Sequence, residues 1–163
     1  MNLGQVIIIT DTNIIFDLHV AGILRKFIEL DNVYMSDLVL HDEISVETFE
    51  DNIRSLIKTI AFDVDMLEIN SIQRTHTALS IYDILNFLLA RKEDGILATR
   101  DKALIKFSNA NNVSTIDTLE IIKMMYNSNT ITKTEVELAL NKLVSSNKTN
   151  LPVEDKEKFL RDL

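Results

Sequence analysis

Two short apolar runs, Val6-Ile7-Ile8-Ile9 and Ile96-Leu97-Ala98-Thr99, constrain this chain most, because each gives way almost at once to an aspartate that opens a helical stretch. The first run is β-branched with no polar alternation, the pattern of a strand covered on both faces. It stops at Thr10-Asp11-Thr12-Asn13, and Asp, Thr and Asn are all good helix N-caps. From Ile14 to Leu30 the positions Ile15, Leu18, Ile23, Leu24, Phe27 and Ile28 recur mostly at helical spacing, and Gly22 divides the stretch into two helices. The second run stops at Asp101, before a helix through Ala110.

The rest of the chain repeats the alternation. A short strand is expected over Asn32–Met35, then a helix from Ser36 bearing Val39, Leu40 and Ile44. A helix from about Glu47 to Ile60 places Phe49, Ile53, Leu56, Ile57 and Ile60 on one face, with Asp51, Arg54 and Lys58 opposite. Val64–Ile69 reads as another short strand. Ser80–Glu93 reads as a helix with Ile81, Ile84, Leu85, Leu88 and Leu89 inward, and Gly95 takes the C′ role. A strand over Val113–Ile116 and a helix over Asp117–Tyr126 follow. Thr132-Lys133-Thr134-Glu135 is a capping box that opens a helix to about Val144. A polar loop at 145–150 leads to Leu151-Pro152 and a short charged terminal helix. Short apolar strands alternating with helices give a three-layer α/β/α sandwich with a parallel sheet. No linker divides the 163 residues, so one domain is expected over 1–163.

Composition narrows the chemistry. There are no cysteines, which removes disulfides, thiolate metal sites and a cysteine nucleophile. The three histidines, His19, His41 and His76, are far apart and in no ligand spacing. Apolar runs fall far short of the roughly 20 residues a bilayer requires, and Met1-Asn2-Leu3-Gly4-Gln5 has no basic leader, so a cytoplasmic protein without a membrane partner is expected. The 25 acidic residues exceed the 17 basic ones, for a net charge of −8, which by itself disfavours nucleic-acid binding.

Where the acids fall matters more than their number. In open parallel sheets, sites lie beyond the carboxyl ends of the strands. Asp11 and Asp101 follow strands there, Asp83 sits in the first turn of the Ser80 helix, and Asp42-Glu43 lies on the helix after the second strand. Four carboxylates in one crevice repel and need a counter-charge. Magnesium or manganese supplies it through oxygen ligands alone. Each acid also has a plainer role: Asp11 and Asp101 as N-caps, Asp83 as the acid of a capping box, Glu43 as solvated helix surface.

The residues then support a resemblance. Ile7-Ile8-Ile9-Thr10-Asp11-Thr12-Asn13 resembles the opening motif of PIN-domain ribonucleases. Ser36-Asp37-Leu38-Val39-Leu40-His41-Asp42-Glu43-Ile44 is similar to the family's second acidic segment. Leu79-Ser80-Ile81-Tyr82-Asp83 through Leu89-Ala90 is similar to its third, and Ile96 through Leu104 to its fourth. Order and spacing fit over residues 5–116, and the helices beyond, 117–163, resemble a bacterial and archaeal subgroup related to toxins.

The resemblance implies a parallel sheet in the order 3-2-1-4-5 and cleavage of single-stranded RNA with one or two Mg2+ or Mn2+ ions. It carries over Asp11, Glu43, Asp83 and Asp101 as metal-binding catalytic acids, with Asn13 and Thr99 in support. The second acid falls on Glu43 or on Asp42, and the Glu-Ile pairing favours Glu43. Many relatives are toxins silenced by a small antitoxin protein, and a homodimer is a further expected partner. Two alternatives remain. One is a non-catalytic binding module of the same fold. The other is an aspartyl-phosphate phosphatase, which wants an acid two positions after its nucleophile, where this chain has Asn13. Basic residues are scattered. Arg100 and Lys102 flank Asp101, and Arg54, Lys58 and Arg91 read as solvated helix surface. Met124-Met125-Tyr126 and Phe107 read as core or dimer contacts.

Overall fold

The computed structural model describes residues 6–50, 52–147, 149 and 151–163. Met1–Gln5, Asp51 of the expected polar helix face, and residues 148 and 150 of the polar loop lie outside the described residues. Five strands form one parallel sheet in the order β3-β2-β1-β4-β5. β1 (Ile8–Thr10) is central, between β2 (Val33–Ser36) and β4 (Ile96–Ala98), with β3 (Thr59–Ile60) and β5 (Thr115–Ile116) at the edges. The register sets Ile8 beside Val33 and Ile96, and Ile9 beside Tyr34 and Leu97. Both isoleucines are fully buried, as the unbroken β-branched run requires of a strand covered on two faces.

Helices α1 (Thr12–Ala21), α2 (Leu24–Ile28), α3 (Asp37–Glu43) and α4 (Ile53–Leu56) occupy the first half. The second half carries α5 (Met66–Thr75), α6 (Ile81–Lys92), α7 (Lys102–Ala110), α8 (Thr118–Asn127), α9 (Lys133–Ser145) and α10 (Val153–Arg161). α6 packs across β2, β1 and β4, while α1 packs against α2, α8 and α9, which makes a three-layer α/β/α fold. Phe27 of α2 and Phe87 of α6 are among the largest fully buried side chains. Truncating either to Ala costs about 3–5 kcal/mol. Among the described residues, no helix is long and apolar enough to cross a membrane.

Glycine and left-handed residues set two helix ends. Gly22 has φ 78° and ends α1, and the Ile23 N–H returns to the Leu18 carbonyl. At the end of α6 the left-handed residue is Asp94, with φ 49°, rather than Gly95. The Gly95 N–H bonds the Ala90 carbonyl and the Asp94 N–H bonds Arg91, a Schellman closure. Gly95 instead allows a close approach: a Cβ there would sit 2.7 Å from the Ile7 carbonyl oxygen.

Two expected elements differ from those observed. The helix from Glu47 to Ile60 is only the short α4, preceded by Asn52 in a left-handed conformation at φ 56°. After Leu56 the backbone turns extended at Ile57 and becomes β3, whose Thr59 and Ile60 align with Met35 and Ser36 of β2. Leu56, expected inward, is exposed, as is Ile81 of α6. The strand expected over Val64–Ile69 is instead the start of α5. Asp65 caps it by accepting from the Leu67 and Glu68 N–H groups, Met66 and Leu67 are exposed, and Ile69 is buried. Half of the six residues Val64–Ile69 face water, and only Ile69 is buried, so the stretch takes a helix rather than a covered strand.

Candidate active site

The crossover from β3 to β4 carries the chain back past β1, so the topology reverses between β1 and β4, and a crevice opens beyond their carboxyl ends. Asp11 stands at that point. Its N–H extends the ladder to the Ala98 carbonyl, its backbone is extended, and its side chain caps α1. The carboxylate accepts hydrogen bonds from the Thr12 N–H at 2.7 Å, Asn13 Nδ2 at 2.8 Å, Thr99 Oγ1 at 2.9 Å and Asn86 Nδ2 at 3.3 Å. Asp11 is only 5 % exposed.

Burial pushes the Asp11 carboxyl up to about 6, against the Thr99 hydrogen bond, which lowers it, and helped by the negative charges of Asp83 and Glu43. No positive charge is among the groups that set it. A buried, hydrogen-bonded carboxylate facing two other acids with no cation beside it is a costly arrangement in a resting fold.

The other acids reach the crevice from three elements. Glu43, at the end of α3, accepts a short hydrogen bond from the Thr12 hydroxyl. Its neighbour Asp42 is turned to His41 Nδ1 at 2.8 Å and the Tyr82 hydroxyl at 3.2 Å. The His41 and Tyr82 bonds hold the Asp42 carboxyl below its ordinary range. Glu43, and not Asp42, acts on Asp11. Asp83 closes a capping box, its Oδ2 accepting from the Ser80 N–H at 2.7 Å. Asp101 caps α7 by accepting from the Leu104 N–H at 2.8 Å, and its own N–H reaches Thr99 Oγ1 at 3.2 Å. It is not among the charges that move Asp11. The plain capping roles of Asp11, Asp83 and Asp101 are therefore all realised. Each of Glu43, Asp83 and Asp101 still keeps one carboxylate oxygen without a protein partner among the described residues.

As placed, the acids sense one another's charge without closing round a point: among the described residues, no three His, Asp or Glu side chains converge closely enough to hold an ion. The donor chemistry, by contrast, fits a hard divalent cation, being all oxygen and uncompensated. An orphaned atom adds to the fit. Asn86 is fully buried, donates to Asp11, and leaves its own Oδ1 unpartnered. Flipping the amide would set oxygen against oxygen, so the orientation is determined by Asp11. A buried acceptor lacking a donor costs about 1–3 kcal/mol.

Asn86 was absent from the sequence expectations. Its signal was present, since it lies three residues after Asp83 and is the one polar residue in Ile84-Leu85-Asn86-Phe87-Leu88-Leu89. Asp17 was also missed. It is 3 % exposed, accepts from Thr118 Oγ1 at 2.8 Å and pairs with Arg100 Nε at 3.2 Å. Burial raises the Asp17 carboxyl, opposed by Thr118 and by the Arg100 charge.

Arg100 also donates to the Thr149 carbonyl at 3.2 Å, so it is tied toward α8 and the C-terminal segment. Arg54 donates to the Ile44 carbonyl at 2.7 Å beyond the end of α3, Lys58 to the Leu30 carbonyl, and Arg91 pairs with Glu68 of α5 at 2.8 Å. Arg54 and Lys58 are partly buried ties between elements, while Arg91 is solvated helix surface, as expected. Comparison of the chain with models of protein families, with curated proteins and with solved structures finds no match.

Proposed function

We propose that this chain is a metal-dependent endoribonuclease of the PIN type, acting on single-stranded RNA. The observation that carries the reading is Asp11: a nearly buried carboxylate at the sheet's reversal point, pushed up to about 6 and facing Asp83 and Glu43. Asp11 would be the central ligand, with Glu43, Asp83 and Asp101 offering their unpartnered oxygens and Asn86 Nδ2 holding Asp11 Oδ1. Asn13 and Thr99 both donate to Asp11 Oδ2, which fixes the carboxylate's orientation. Bound magnesium or manganese would activate a water and neutralise charge on the phosphodiester. The acids themselves orient that water by accepting its hydrogen bonds.

A toxin-like role in the cytoplasm belongs to the same proposal, with a small antitoxin protein and a second copy of the chain as partners. The test is purified protein on a single-stranded RNA with manganese, with and without EDTA, beside Asp11→Asn. Metal-dependent cleavage lost in the variant is the expected result. Cleavage that survives EDTA, or equal cleavage by the variant, overturns the mechanism.

One observation favours a second reading, a binding module without catalysis: the acids are spread over separate caps instead of converging. Calorimetric titration with manganese separates the two, since a module of that kind takes up no metal through its carboxylates. The phosphatase alternative keeps nothing in its favour, because Asn13 occupies the position of the required acid and donates to Asp11.

A further inference from the structure

A cavity of about 430 Å³ lies between the loop leading into α6 and one face of α7. Leu79 and Ala103 are among its lining residues, and they stand one residue before Ser80 and two residues after Asp101. It therefore adjoins the two caps that bring Asp83 and Asp101 to the crevice. Ala103, Lys106, Phe107 and Asn111 recur at helical spacing, so α7 turns a single face to the cavity.

Phe107 and His76 line the cavity, and Phe87 backs Phe107 from the core. Phe87 is fully buried and meets Phe107 edge-on at 4.7 Å, and Phe107 meets His76 edge-on at 4.6 Å. His76 is the exposed end of the series, and Thr75 Oγ1 lies 2.9 Å from its Nδ1, which fixes the ring plane. Beside it, Asn111 donates Nδ2 to the Phe107 carbonyl at 2.8 Å and keeps Oδ1 as an acceptor. Lys106 is exposed and has no ion pair among the described residues. A held aromatic face, a neighbouring amide acceptor and a free ammonium make up the chemistry of a nucleotide: base on ring, base edge on amide, phosphate on cation.

We infer that this cavity is a subsite for one nucleotide of the RNA strand, next to the phosphodiester held at the acids. The inference rests on the ribonuclease reading and adds the place where the strand is gripped away from the acids. His76 and Lys106 matter in an acidic chain because they supply local affinity that the net charge of −8 withholds.

The test is the affinity of a fluorescein-labelled 12-nucleotide RNA, measured by anisotropy in EDTA at low salt, for the parent, His76→Ala, His76→Phe and Lys106→Ala. Thermal melts of all four proteins accompany it. Loss of about tenfold in His76→Ala, recovery in His76→Phe, and a salt slope smaller by about one in Lys106→Ala support the subsite. Variants that melt like the parent and bind like the parent overturn it, as does a parent that does not bind the strand. A second arm titrates 5′-AMP. His76-dependent binding of AMP without His76-dependent binding of the strand makes the cavity a free-nucleotide site and overturns the inference. Manganese-dependent cleavage, measured in parallel, reports on the ribonuclease reading alone, so failure of the subsite and failure of that reading are told apart.

Discussion

The Thr99 hydroxyl donates to Asp11 Oδ2 at 2.9 Å, and Thr99 Oγ1 itself accepts the Asp101 N–H at 3.2 Å. One side chain at the end of β4 thus holds the central acid and links it to the cap of α7. Thr99→Val keeps the shape and removes the donor to a largely buried carboxylate. The Asp11 carboxyl then rises further above about 6, because the bond that opposes burial is gone. Loss of a hydrogen bond to a charged group costs about 1.5–3 kcal/mol at neutral pH. The acid limb of the pH–rate profile moves to higher pH; an unmoved limb refutes the role given to Thr99.

Asp11 also sets a pH dependence of stability. Its folded pKa is about 6 against 3.8 for the free group, so between those values the folded state holds a proton that the unfolded chain releases. Unfolding free energy in EDTA therefore rises as pH falls from 7.5 to 5, by roughly 1–1.5 kcal/mol for this group. Asp11→Asn flattens that rise. Glu135 acts oppositely: its carboxyl is lowered to about 2 by Lys26 and its Thr132 cap, and its stabilisation fades only as pH drops below the ordinary carboxylate range. Asp17, which burial also raises, adds in the same sense, so the part due to Asp11 is the difference between the parent and Asp11→Asn. Urea titrations at the two pH values check this, and equal slopes in parent and variant contradict it.

Metal should stabilise the fold. A cation that binds only the folded state raises its stability by about 2.7 kcal/mol at a hundred times its Kd. Manganese is expected to raise the melting temperature of the parent and to leave Asp11→Asn unchanged. Glu43→Gln and Asp83→Asn should weaken the effect more than Asp101→Asn, since Asp101 does not act on Asp11. Scanning calorimetry with and without metal gives the ranking, and an equal response from all four variants excludes it.

Gly95 and Gly22 should differ in their tolerance of alanine. At Gly95 the added Cβ meets the Ile7 carbonyl oxygen at 2.7 Å, an atom of the backbone that enters β1. At Gly22 it meets only Lys142 Nζ at 2.5 Å, the end of a flexible side chain, although φ is 78° there. Gly22→Ala should cost about 1–2 kcal/mol from the left-handed backbone. Gly95→Ala should cost about 1–3 kcal/mol and move β1 against β4 as well. Because β1 ends at Asp11, only Gly95→Ala should also reduce manganese affinity.

Much of the molecule follows from signals that act within a few residues. The β-branched run at Ile7-Ile8-Ile9, the caps at Asp11, Ser80, Asp101 and Thr132, and the break at Gly22 are local, and the observed elements begin and end near them. β3 carries no such signal. Its two residues are a strand only because β2 offers an open edge at Met35 and Ser36, so helical phase in Ile53 and Ile57 gives way to a partner supplied from elsewhere in the chain.

The same division runs through the candidate site. The sequence by itself determined which acids stand at strand ends, because a strand must stop and a helix must be capped within the same four residues. Only the tertiary structure decided which of them face each other. Glu43 rather than Asp42 meets Thr12 beside Asp11, since the angle of α3 on β2 turns one acid inward and leaves its neighbour to His41 and Tyr82. Packing α6 across β1 likewise brought Asn86 to Asp11, across 75 positions of sequence. Burial raised Asp11 by removing its water, and the isolated segment, being solvated, has no such effect.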